Sequence, residues 1–106
     1  MIKVTILKHT DQYKGFIVSG HAGYADEGYD IICSAVSVLS INTVNSIESL
    51  AHLPVRAEEE DGYLSCQFEK ELNHEGILLM ESMILGMRTI CESYGKTYIQ
   101  LSFEEV

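Results

Sequence analysis

Basic residues are scarce in this chain, with seven lysines and arginines against sixteen acidic side chains and a formal net charge of −9. A surface of that sign repels nucleic-acid backbones and attracts basic peptides or proteins, so direct nucleic-acid binding is not expected. Proline is nearly missing: Pro54 is the only one, and with 46% hydrophobic and 22% charged residues the chain reads as globular rather than disordered. Cysteine is sparse as well. Cys33, Cys66 and Cys91 are odd in number and widely spaced, without a C-x-x-C pair, which argues against a disulfide framework and for a reducing compartment. No apolar run reads as long enough for a membrane span, and Met1 to Ile6 reads as a strand rather than a signal peptide. A cytoplasmic location, with no membrane partner, is therefore expected.

The pattern along residues 1–106 suits one domain. Ile2, Val4 and Ile6 alternate with Lys3 and Thr5, and Gly15 to Gly20 reads as the return strand of a hairpin turning at Thr10-Asp11-Gln12. Asp30 is placed to cap a helix over Ile31 to about Leu53, closed by Pro54. Its stripe is Ile32, Ala35, Val36, Leu39, Thr43, Ile47 and Leu50. Ile31, Val38 and Ile41 outside that stripe suggest burial on more than one side. Val55 to Glu59 and Tyr63 to Glu69 form a second hairpin around Glu60-Asp61-Gly62, with Leu64, Cys66 and Phe68 on one face. Asn73 caps a second helix with the stripe Ile77, Met80, Ile84, Met87, Cys91 and Tyr94, ended by Gly95. Thr97 to Phe103 is the last strand, before an acidic tail at Glu104-Glu105. The order ββαββαβ predicts an α+β fold: a two-layer, largely antiparallel sheet of about five strands with both helices on one face. Leu78, Leu79 and Leu85 lie off the core stripe, which suits either a homodimer surface or tight packing.

Chemistry concentrates between Gly20 and Ser37. Cys33 falls about three residues into the expected first helix, where the helix dipole and unpaired amides favour a thiolate and can receive an oxyanion. His21 follows a strand directly, at the start of a loop from Ala22 to Tyr29 with Gly23 and Gly28 near its ends, which suits a segment that bends or moves. A histidine within about 3–3.5 Å of the sulfur would make a nucleophile–base pair. Taken alone, Cys33 also reads as a small buried residue, and His21 as a half-buried polar one. Asp30 can cap the helix or orient His21, and Ser37, four residues past Cys33, can bond to the thiolate, to the histidine or to its own helix. His9, His52 and His74 sit beside turns or helix ends, and nothing has zinc-ligand spacing, so no metal and no cofactor are expected. The glycine-rich loop lacks the lysine of a phosphate cradle. Glu58 to Asp61 reads as a solvated turn or as a docking surface for cations.

Gly20-His21-Ala22, followed by Gly28-Tyr29-Asp30-Ile31-Ile32-Cys33-Ser34-Ala35-Val36-Ser37, resembles the ribosomal-processing cysteine protease (Prp) family of Firmicutes and related bacteria. The resemblance extends over nearly the whole chain. It implies a cysteine endopeptidase that removes the N-terminal extension of large-subunit ribosomal protein twenty-seven during ribosome maturation. It also implies His21 as general base, Cys33 as nucleophile, Asp30 and Ser37 as further polar positions, a mobile loop between histidine and cysteine, and a homodimer. An acidic enzyme suits a substrate from a basic protein, and a glycine-bracketed loop suits a site closed by its own peptide. The reading from another class is a non-catalytic ribosome-assembly module that binds a basic peptide. A redox sensor at Cys33 lacks an evident resolving cysteine.

Overall fold

The computed structural model describes residues 1–20, 27–94 and 97–106, and of residues 27–30 the backbone alone. Seven elements follow in order: β1 (Ile2–His9), β2 (Gln12–Ser19), α1 (Glu27–Ser49), β3 (Val55–Glu60), β4 (Tyr63–Phe68), α2 (His74–Tyr94) and β5 (Ile99–Glu105). This is the α+β order predicted from the sequence. The strands form one sheet in the order β3-β4-β2-β1-β5. Three neighbouring pairs are antiparallel, and β1 with β5 is parallel, in a register that sets Ile2 beside Ile99 and Ile6 beside Phe103.

Alternation in β1 buries Ile2, Val4 and Ile6 on one face, joined there by Phe16, Leu64, Cys66 and Ile99. Ile32, Val36, Val44 and Ile47 of α1 and Met80, Met83, Ile84 and Met87 of α2 complete the same core. Burying an aliphatic side chain of this size contributes about 1.5–3 kcal/mol. The helices approach closely at Gly86, where a Cβ would lie 2.6 Å from Leu39 Cδ2. Asn73 caps α2 as its sequence position suggests, its Oδ1 accepting from the Gly76 amide at 2.9 Å. Its Nδ2 also donates to the Ala51 carbonyl at 3.0 Å, holding the end of the α1–β3 connection.

Several sequence expectations are corrected. α1 begins at Glu27 rather than Ile31, so Asp30 lies inside the helix instead of capping it, and Gly28 belongs to the first turn rather than to a loop. It ends at Ser49, and His52, with φ 57°, turns the chain before Pro54 is reached. Ile31 and Val38 are 57% and 69% exposed, and Ile41 and Leu50 are exposed too, so α1 buries one face only. On α2 the buried set gains Gly76 and Met83, while Ile77 and Tyr94 are exposed. Glu104 and Glu105 extend β5 rather than trailing from it. Gly95 lies outside the described residues. One stretch, Ile31–Ser49, is in fact long and apolar enough to cross a membrane by length and composition, with a mean hydropathy of 1.4. Here its Ile32, Val36, Val44 and Ile47 are core residues.

Candidate active site

The site begins where β2 ends. Gly20 has φ 99°, a left-handed value that L side chains rarely adopt, and a Cβ there would lie 2.1 Å from the Met1 carbonyl oxygen. Its amide donates to the Gly62 carbonyl at 3.0 Å. The backbone at this residue is thus bonded to the β3–β4 turn on one side and closely packed against Met1 on the other. His21 and Gly23 themselves lie outside the described residues, as does the stretch 21–26.

Cys33 occupies the second turn of α1, half-buried and packed against the core. This revises the electrostatic expectation. The unpaired amides of a helix belong to its first turn, and the dipole's influence fades within that turn. With the helix starting at Glu27, the Cys33 amide stands beyond them. The side chain of a helical residue still leans toward the N-terminus, so the sulfur covers the preceding turn rather than its own.

A cavity of about 400 Å³ opens at Cys33, lined also by Val18, Gly20, Ser37, Asp61 and Gly62. Ser37 stands one turn after Cys33 and is exposed, so the structure brings these two expected residues to one opening. The Asp30 backbone lies in the helix just before them. A second cavity of about 460 Å³ shares Val18, Gly20, Ser37, Asp61 and Gly62 with the first. It runs on to Ser40, Ile41 and the β3–β4 hairpin at Glu59, Glu60 and Tyr63. That hairpin wall is absent from any motif. Its signal in the sequence was only the acidic run, and a five-stranded topology is needed to place it beside α1.

The other two cysteines differ in surroundings. None of the three is in a disulfide. Cys66 is fully buried in β4, and burial, with a smaller contribution from the Glu48 carboxylate, pushes its thiol up to about 12. Cys91 is half-buried rather than fully so. Burial again raises its thiol, against a backbone hydrogen bond with Leu101 that pulls the other way. Cys91 lines a larger cavity of about 620 Å³ between α2 and β5, whose walls carry Arg88, Glu92 and Phe103 but no histidine or serine. Among the described residues, no imidazole stands beside this thiol.

A family model described as cysteine protease Prp matches residues 1–100. The ribosomal processing cysteine protease Prp of Bacillus subtilis is 32% identical over 101 residues, covering 89% of this chain and 90% of that protein. The protein of the same name from Staphylococcus aureus is 27% identical over 90 residues, covering 83% and 84%. The crystal structure of the S. aureus essential ribosomal processing protease Prp in complex with a substrate peptide superposes with a TM-score of 0.89 at 26% identity, covering 98% of this chain and all of that one. The S. aureus enzyme with a covalently linked product peptide gives 0.87 at 27% identity over the same shares.

Proposed function

The chain belongs to the cysteine protease Prp family, and from that premise we propose that it is the endopeptidase that trims the N-terminal extension of large-subunit ribosomal protein twenty-seven. Cys33 is the nucleophile and His21 the general base. The imidazole takes the thiol proton, the sulfur attacks the scissile carbonyl, and the amine leaves with the proton that the histidine returns. Water then hydrolyses the thioester, activated by the same imidazole. The observation that carries this reading is the half-buried Cys33 opening on a cavity whose wall includes Gly20, the residue directly before His21. Supporting it, the Gly20 amide is bonded to the Gly62 carbonyl, and the backbone of Met1 packs so closely on Gly20 that no side chain fits there.

Ser37, on the cavity wall one turn from the thiol, serves as a polar neighbour to the reacting groups, and Asp30 supports the histidine. The enzyme works in the cytoplasm as a homodimer, without a cofactor. Exposed Val38 and Leu85 flank the Leu39–Gly86 contact on the outer face of the helical layer, and Leu78 lies two turns before Leu85. An apolar face of that kind suits cover by a second copy. The deciding experiment incubates the extended ribosomal protein with the native chain and with Cys33→Ala. Cleavage at one bond by the native chain alone is expected. Equal cleavage by both would refute Cys33 as nucleophile, and support of ribosome maturation by Cys33→Ala would favour a binding module.

A further inference from the structure

Resting on that peptidase reading, we propose that the cavity between α1 and the β3–β4 hairpin is a subsite for one lysine or arginine side chain of the peptide, with Glu59, Glu60 and Asp61 setting the preference. The cavity holds about 460 Å³ and shares five wall residues with the one at Cys33, so a peptide bound across the thiol has a side-chain path into it. Its walls divide by chemistry. Val18, Ile41 and Leu64 give an apolar surface, while Glu59, Glu60 and Asp61 line an acidic rim, with Glu59 opposite Leu64 in the ladder on the helix-facing side. Ser40, between them, is buried and donates to the Val36 carbonyl at 2.7 Å, which leaves the charge on the rim unanswered by the floor.

Among the described residues the ion pairs are His9–Glu105 and Arg56–Glu69, and neither neutralises this rim. The hairpin is also held in place rather than waving in solvent. Tyr63 pairs with Ser19 in the β2–β4 ladder, and the Gly62 carbonyl accepts from Gly20. The backbone that carries the carboxylates therefore keeps a fixed relation to the helix that carries Cys33. An acidic side chain in this cavity meets like charge, and an apolar one strips water from the rim with nothing in return. A long basic side chain meets both walls, its methylene stem on the apolar surface and its charged head at the carboxylates.

The test uses fluorogenic peptides spanning the processing junction of ribosomal protein twenty-seven, with lysine, glutamine or glutamate placed in turn at each position on either side of the scissile bond. The kcat/KM values are read for the native chain and for the triple variant Glu59→Gln, Glu60→Gln, Asp61→Asn. The same peptides are titrated by fluorescence anisotropy against Cys33→Ala. One position is expected to favour lysine over glutamate by about tenfold in the native chain, falling to about twofold in the triple variant. Glu59→Lys with Glu60→Lys should reverse the order at that position. Indifference to lysine, glutamine and glutamate at every position, or a preference that survives the triple variant, overturns the subsite. Charge-selective binding to Cys33→Ala without any cleavage by the native chain would uphold the subsite and sink the peptidase reading instead.

Discussion

Gly20 and Gly62 are joined backbone to backbone: the amide of one donates to the carbonyl of the other at 3.0 Å, binding the end of β2 to the turn between β3 and β4. This bond continues the β2–β4 ladder past Ser19 and Tyr63, so the end of β2 and the acidic hairpin are tied together. At Gly20 the contact coincides with a left-handed φ and a close approach to Met1, so the position admits no side chain without displacement.

Gly20→Ala should therefore lower stability by about 1–3 kcal/mol, the usual cost of a strained backbone position. It should also lower kcat more than substrate binding, since it shifts the residue that precedes His21. Thermal melts and steady-state kinetics on the same preparation separate the two effects. An unchanged melting temperature would contradict the close approach.

Cys33→Ala should reduce cleavage by at least about a thousandfold while leaving the circular dichroism spectrum unchanged. Cys33 is half-buried and Cys66 fully buried, so brief iodoacetamide treatment of the native chain should label Cys33 well before Cys66. Peptide mapping by mass spectrometry reads the order directly. Early labelling of Cys66 would show that the core is open.

Cys66 gives a dependence on alkaline pH. Its folded thiol is raised from an ordinary 9.0 to about 12 by burial, so the folded state favours the neutral form. The stability linked to that preference is fully present below pH 9 and is lost as pH climbs toward 12. Urea unfolding followed between those limits should show a steeper decline for the native chain than for Cys66→Ala. Parallel declines would remove the thiol from the account.

Asn73→Ala removes two interactions at once, the cap on α2 and the bond to Ala51. A loss of about 1–2 kcal/mol is expected. Asn73→Asp keeps the capping oxygen and gives up the donor, so it should cost less. Chemical denaturation of the pair decides whether cap or crosslink matters more.

Val38→Glu combined with Leu85→Glu places charge on the exposed helical face without touching the core. Sedimentation velocity should show a dimer for the native chain and a monomer for the double variant. A native monomer at micromolar concentration would end the dimer proposal.

Much of this architecture is legible in the sequence, for reasons that differ by element. Ile2, Val4 and Ile6 announce a strand because a two-residue period has one structural meaning, and Asn73 announces a helix start because an amide side chain there has few other uses. The start of α1 is hidden in the sequence because Asp30 looks like a cap, while Glu27-Gly28-Tyr29 carries no apolar period to reveal a helix already under way. The exposure of Ile31, Val38 and Ile41 is hidden too, because residue type alone does not say which side of a helix has a neighbour. The parallel pairing of β5 is silent in the sequence, since alternation fixes a strand's faces but not its neighbour. Cys33 and Ser37 were visible as chemistry. The hairpin acids were visible only as charge, because their place beside the thiol depends on β4 pairing with β2 across an intervening helix.

The register that sets Ile2 beside Ile99 has a kinetic consequence. Every other element of the domain lies between these two strands in sequence, so their pairing closes a loop of nearly the whole chain and rewards it late. The stretch from Val18 to Leu64, which lines both cavities except for Ile2, needs no such closure to come together. During synthesis the groove can begin to gather while β1 still waits with one edge unpaired. Until β5 arrives, that open edge is the part of the nascent chain most exposed to pairing with the wrong strand.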